Sequence, residues 1–402
     1  MKALGLALLL AGAVIPGDPG APGPEGPVVA ETASHEPYKK ASPEPLDFRG
    51  PGREEPEPDV DEVVIGWFGP GDPDHPEFGD YWRGAVLAVE QENAAGGYRG
   101  KPFRLVPAWS ESPWKAGIVD VTRLVYERGA WAVIGGVDGT STHLALQLAL
   151  KSHFLLLSPG STDVTADDAN VPWLFSLPPS DEPVSLALAD AVSEAASGSP
   201  FAVLASTDHD AHAALAAVLR ALAAKRLSPA SVVEFSAADP DFPTLAGGLL
   251  QERPRVLVVL APSTVAGHLV AAVRRAGWAG TIVGGATLGR SGFARSAGEA
   301  AEGVLAWAPA DTGTGWGAFA QVAERRWGEP PDEPAARGYD AVRLAAAAVR
   351  RAGLNRARIR DAIRDLSPWA GVSGRVRWNA RGRNDDVVRR ARWTGGRLVP
   401  ID

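Results

Sequence analysis

Residues 133–145 read "VIGGVDGTSTHLA": a short apolar run, a turn of glycines and hydroxyls, then the start of a helical pattern. That order is a strand, a tight turn and a helix, the basic step of a parallel α/β sheet. Gly135, Gly136 and Gly139 permit close backbone approach, and Thr140, Ser141 and Thr142 set hydroxyls at the helix start. Free N–H groups and the helix dipole favour an anion at that end. The same hydroxyls also serve as simple helix caps, so the loop reads both ways. One strand later "SPGSTD" (158–163) repeats the chemistry. Two adjacent hydroxyl-rich strand ends favour a carboxylate-sized anion between them.

Outward from this loop the same texture continues in both directions. "EVVIGWF" precedes "YWRGAVLAVEQENAAGG", "FRLVPAW" precedes "KAGIVDVTRLVYERG", and "FLLLSPG" closes a first set. A second set pairs "PFAVLAST" with "AHAALAAVLRALAAK", "SVVEFSA" with "FPTLAGGLLQER", and "RVLVVLAP" with "TVAGHLVAAVRRAG", and ends on "GTIVGGA". Strand and helix alternating every 25–35 residues predict parallel sheets covered by helices, with material for two. The expected class is α/β, two Rossmann-like lobes. Two further helices follow residue 309, and "VVRRARWTGGRLVP" alternates like a hairpin. Its arginines alternate with apolar residues, which describes a solvated strand face and not a nucleic-acid patch.

Before residue 61 the composition is different. Met1-Lys2 and the apolar run "ALGLALLLAGAVI" (3–15) predict an export signal over 1–15, with Ala11-Gly12-Ala13 as a cleavage pattern and 30–33 as a second candidate. The run is shorter than the about 20 residues a membrane span needs. No other stretch reads as transmembrane, so no stable membrane insertion is expected once the signal is removed. Residues 16–60 hold 11 of the 34 prolines among Gly, Glu and Asp, and are read as a disordered tether.

Composition and missing motifs narrow the chemistry. A formal net charge of −8 disfavours nucleic acid and anionic membranes as partners, and the absence of cysteine excludes thiol catalysis, disulfides and a lipid on cysteine. Neither G-x-x-x-x-G-K-[ST] nor G-x-G-x-x-G occurs, and no Lys or Arg lies in 135–143 to meet a polyphosphate. No cofactor is expected. G-x-S-x-G is absent too, so the chain is read as a non-enzyme; a hydrolase built on Ser141 or Ser158 with His143 or His153 is a distant third reading. Asp208-His209-Asp210-Ala211-His212 looks metal-like, yet it lacks H-E-x-x-H and a third ligand, and reads first as a polar loop and helix cap.

From about 62 to 400 the chain resembles the type I periplasmic solute-binding proteins, the leucine/isoleucine/valine-binding branch that serves ABC transporters. The resemblance rests on "GDYWRGAVLAVEQENAAGGYRGKPFRLV", "VIGGVDGTSTHLALQLALKSHFLLLSPGST", "GYDAVRLAAAAVRRAG" and "GVSGRVRWNARG", in this order. It implies two lobes joined by three crossover strands near 174–179, 305–309 and 369–374. Lobe 1 is then 61–176 with 309–370, and lobe 2 is 177–308 with 371–402. It also implies that the loops at 138–141 and 160–162 hold a ligand's carboxylate. Gly139 or Thr140 stands where the family has a serine, Gly160, Ser161 and Thr162 form the fourth loop, Phe78 is the aromatic wall, and Asp210 falls near a second-lobe tyrosine.

One departure bears on the ligand. Where amino-acid binders of that family offer an acid to the ligand's ammonium, this chain has Ala286 and Thr287. A buried ammonium without a counter-charge is expensive, so either Asp138, Glu111 or Asp210 substitutes, or the ligand is not an α-amino acid. Trp67, Trp109 and Trp114 suit an aromatic or apolar carboxylate if they reach the cleft, and a core role if they do not. The expected function is extracytoplasmic capture of a small carboxylate-bearing metabolite in an interlobe cleft, for a membrane permease of an ABC transporter. The alternative is a ligand-sensing co-receptor module of a signalling system.

Overall fold

In the computed structural model, which describes residues 48–110, 113–238, 240–309, 313 and 315–401, the first sheet is laid down by βα repeats. They run β1 (Val63–Phe68), α1 (Gly79–Ala94), β2 (Phe103–Ala108), α2 (Pro113–Thr122), β3 (Ala132–Gly135), α3 (Gly139–Ser152), β4 (Leu155–Ser158), α4 (Val164–Asp168) and β5 (Leu174–Ser176). β1, β3 and β4 are buried at every position, as continuous apolar runs must be when helices cover both faces. The strand order is β2-β1-β3-β4-β5, all parallel.

The chain then crosses to a second lobe. Its repeats are α5 (Asp181–Ala196), β6 (Phe201–Ser206), α6 (His209–Ala224), β7 (Ser231–Phe235), α7 (Phe242–Glu252), β8 (Val256–Leu260), α8 (Ser263–Arg275), β9 (Thr281–Gly284), α9 (Ser291–Ala297) and β10 (Leu305–Pro309). Helices α10 (Trp316–Trp327), α11 (Glu333–Ala352) and α12 (Arg356–Asp365) return to the first lobe. There α11 crosses α1 at backbone distance. A Cβ on Gly84 would sit 1.7 Å from the Ala335 carbonyl oxygen, and one on Gly338 would sit 2.0 Å from that of Tyr81. Only glycine permits that approach.

The third crossing is a short hairpin, β11 (Trp369–Gly371) and β12 (Gly374–Val376), pinned by Asp340 of α11, which accepts from the Val372 and Ser373 amides at 3.0 and 2.8 Å. Finally β13 (Val388–Thr394) and β14 (Arg397–Pro400) join the second sheet antiparallel, giving β14-β13-β10-β9-β8-β6-β7. The hairpin read from "VVRRARWTGGRLVP" is this pair. Ala391 and Trp393 face the core while Arg389 and Arg392 do not.

Residues 48–60 depart from the tether expected over 16–60. Phe48 packs on His153 and Trp173 with ring centroids 4.5 and 4.7 Å away. Arg53 forks onto Asp361 at 2.8 and 3.1 Å, and Glu57 accepts from the Tyr98 hydroxyl at 2.5 Å. An aromatic anchor and paired charges, hidden in a Pro- and Glu-rich composition, hold this strap to the first lobe. Among the described residues no helix is long and apolar enough to cross a membrane. The expected signal at 1–15 lies outside the described residues.

Candidate ligand-binding site

Ligands of open parallel sheets bind beyond the strands' carboxyl ends, where neighbouring connections leave in opposite directions. In the first sheet that point lies between β1 and β3, and in the second between β6 and β8. The loops from these strands face one another around a cavity of about 180 Å³. Phe78, Asp138, Thr140, Gly160 and Thr162 line it from the first lobe; Asp210, Ala261, Ala286, Thr287 and Arg290 line it from the second. Asp181, at the first crossing, completes the wall.

The opening loop carries two carboxylates at one helix end. Asp138 caps α3, its Oδ1 accepting from the Ser141 amide at 2.7 Å while the Ser141 hydroxyl returns to Asp138. Asp210 reaches across from α6 and accepts from the Gly139 amide with both oxygens, at 2.9 and 3.0 Å. A Cβ on residue 139 would lie 2.2 Å from Asp210 Oδ1, so glycine here makes room for a carboxylate of the other lobe. Burial raises Asp138, and it raises Asp210 well above the ordinary range, with the charge of Asp138 adding to the latter. Burial likewise pushes Asp181 up to about 7. Such a group of carboxyls is eased by a cation. The one cationic side chain in the lining whose charge is permanent, Arg290, loses hydration by burial, but Tyr81, Glu77, Asp210 and Asp332 outweigh this and hold it charged.

Further bonds cross between the lobes. Glu77 accepts from the Ser263 and Thr264 amides at 2.9 and 3.2 Å and pairs with Arg290 at 3.1 Å. It thereby caps α8, whose own N-cap, Pro262, has no side-chain bond to offer. Asp332 caps α11 through the Ala335 amide at 3.0 Å and accepts from the Ser291 amide at 3.0 Å. The lobes are closed on one another.

Burial, and then the nearby charge of Asp80, push Asp332 up to about 7. Opening would admit water and, by relieving the burial that is the main cause of the rise, return this carboxyl toward about 4, even though the Ser291 bonds that favour its charged form are lost. A carboxyl raised in the closed state favours that state fully below about pH 4, and the advantage disappears as pH rises through about 7. The closed population of ligand-free protein is therefore expected to fall between about pH 4 and about pH 7, by up to about 4 kcal/mol if the whole shift is relieved. The radius of gyration from small-angle scattering reads this directly, and Asp332→Asn should flatten it. An undiminished pH dependence in that variant would transfer the effect to the raised cleft carboxyls Asp138, Asp181 and Asp210.

Of the residues expected from sequence, Phe78, Asp138, Thr140, Gly160, Thr162, Asp210 and Thr287 line the cavity, and Gly139 meets it through Asp210. Ser141 and Ser161 are fully buried and outside the lining. Ser141 is consumed by the cap, and its hydroxyl bonds Asp138 and not His143, so the hydrolase pairing is not formed. Ser158 is buried on the Gly136 carbonyl at 2.8 Å, and His153 stacks on Trp173. Thr287 donates to the Ala261 carbonyl at 2.7 Å. Glu111 and the Trp114 side chain lie outside the described residues. Trp67 is core, donating to the Pro70 carbonyl at 3.0 Å, and Trp109 packs on Phe68 and Phe78. Glu77, Asp181 and Arg290 were not foreseen, because no local pattern lifts them out, and His209 was read only within the metal-like run 208–212 and not as a residue of the cavity.

Two parallel α/β lobes, joined by three crossings and facing each other over a polar cavity, define a protein that captures a solute between its lobes. The chain belongs to the periplasmic binding protein family, whose profile matches residues 63–397. The family and its structural relatives are solute-binding proteins, not enzymes. The chain is similar to an amino acid binding protein of Pseudomonas aeruginosa, 34% identical over 117 residues, a match covering 29% of this chain and 31% of that protein. Its fold is that of LivJ, the substrate-binding protein of a branched-chain amino acid transporter from Streptococcus pneumoniae, solved with isoleucine. The TM-score is 0.77 at 23% identity, covering 84% of this chain and 97% of that one. A solute-binding protein of an ABC transporter from R. palustris, in complex with benzoate, gives 0.76 at 19% identity over 85% and 95%.

Proposed function

We propose that this protein captures a small zwitterionic, amino-acid-like metabolite outside the cytoplasmic membrane and presents it, with its lobes closed, to the permease of an ABC transporter. The observation that carries this reading is the mixed charge of the cavity lining: Asp138, Asp181 and Asp210 crowd together, and Arg290 brings a permanent positive charge to the same cavity. The ligand's ammonium relieves the carboxyls, most directly Asp210. Its carboxylate meets Thr140, Thr162 and the Arg290 guanidinium. In this reading Asp210 supplies the counter-charge that Ala286 and Thr287 do not, and Phe78 with Ala261 and Ala286 borders the side chain. Export rests on the apolar run at 3–15, and delivery to a permease on what the relatives are.

Calorimetric titration tests this with three probe groups: amino acids, simple amines and aromatic carboxylates such as benzoate. Amino acids are expected to bind best, with quenched or shifted tryptophan fluorescence. Binding of benzoate with no response to any amine-bearing probe would overturn the reading.

A further inference from the structure

We propose that His143, Asp163 and His209 form a binding site for a divalent transition-metal ion of the zinc class, built from both lobes, that clasps them together. His143 is the fifth residue of α3, Asp163 is the N-cap of α4, and His209 is the first residue of α6 on the opposite lobe. The Nε2 atoms of both histidines converge on one oxygen, Asp163 Oδ2, at 2.9 and 2.7 Å, and the two rings meet edge to face with centroids 5.3 Å apart. All three ligating atoms fall within 4.8 Å of one another. Ligands about 2.0–2.2 Å from a tetrahedral zinc ion stand roughly 3.3 Å apart. The two Nε2–Oδ2 separations therefore need to widen by only about half an ångström to seat one.

The chemistry of the set is as suitable as its spacing. Two imidazoles and a carboxylate are borderline-soft donors of the type zinc takes in sites that keep a fourth position open. The Asp163 side chain is 1% exposed, and its other oxygen is fixed by the Thr165 amide at 2.8 Å, so the carboxylate is held in place from behind. Two hydrogen bonds on one oxygen already order both imidazoles toward a common point. The sequence paired His209 with His212; in the structure His212 is exposed and outside the cluster, and His143, sixty-six positions before His209, takes its place. Because the donors divide between the lobes, the ion would bind the closed form and not the open one, and so favour closure by mass action.

The experiment uses untagged protein freed of metal by chelator dialysis and titrated with zinc chloride, without organic ligand. One site is expected in the wild type, with a raised melting temperature and a smaller radius of gyration by small-angle scattering. His143→Ala and His209→Ala should each weaken zinc by at least about tenfold, whereas His212→Ala should not. His209→Gln, with the melting curve of each metal-free variant, separates loss of the site from loss of fold. Absence of zinc binding in the wild type, or unchanged affinity in His209→Ala, overturns the proposal. Loss in His143→Ala with retention in His209→Ala would place the ion on one lobe and overturn the clasp.

Discussion

Asp210→Asn is expected to weaken binding of an amine-bearing ligand by about 30-fold or more, because truncating one partner of a buried, hydrogen-bonded charge pair costs about 2–5 kcal/mol. The carboxylate sits in the lining beside Asp138 and is raised by burial and by that neighbour. An ammonium arriving there supplies the missing positive charge, and asparagine cannot return that interaction. The opposite outcome has a clear meaning. The Gly139 amide, at the N-terminus of α3, is a natural seat for an anion, and Asp210 occupies it. If Asp210→Asn instead tightens a plain carboxylate such as benzoate, Asp210 is a stand-in for the ligand's own carboxylate, and the ligand is an acid that displaces it. Gly139→Ala separates the two roles further. It drives Asp210 off the amide by the 2.2 Å clash yet leaves the charge in the cleft.

Arg383→Ala should cost about 3–5 kcal/mol of stability, the usual consequence of leaving a buried charge without its partner. Arg383 is 3% exposed, in the last crossing between the lobes. It forks onto Asp167 at 2.7 and 3.0 Å and donates to the Ser161 and Asp163 carbonyls at 2.5 and 3.0 Å. Removing it strands a buried carboxylate and frees the backbone of the loop that bears Thr162. Chemical denaturation of Arg383→Ala reads the loss, and the double variant with Asp167→Leu should recover part of it. A loss below about 1 kcal/mol would show that water replaces the guanidinium at this site.

The architecture was legible because its signals are local and repeated. Runs such as "VVIGWF" and "VLVVL" can only be covered strands, and the helices between them return the chain to a parallel neighbour. The site was legible by loop and not by role. Hydroxyls after β3 looked like anion donors, but the same N-terminus had to be capped, and Asp138 with Ser141 does that. Sequence cannot separate a cap from a ligand contact, since both use the same amides. Glu77 and Arg290 escaped, and His209 was given the wrong partner, for another reason: their partners stand 186, 213 and 46 positions away, and only closure of the lobes joins them. Gly139 read as a missing serine. Its meaning depends on Asp210, seventy-one residues on.

The strap at 48–60 has a mechanical consequence. Phe48, Arg53 and Glu57 all fasten to the first lobe, so the described chain enters on that lobe. A tether pulled from the N-terminal side loads one jaw and leaves the other free to swing. Attached to a surface through that end, the protein would keep its full stroke.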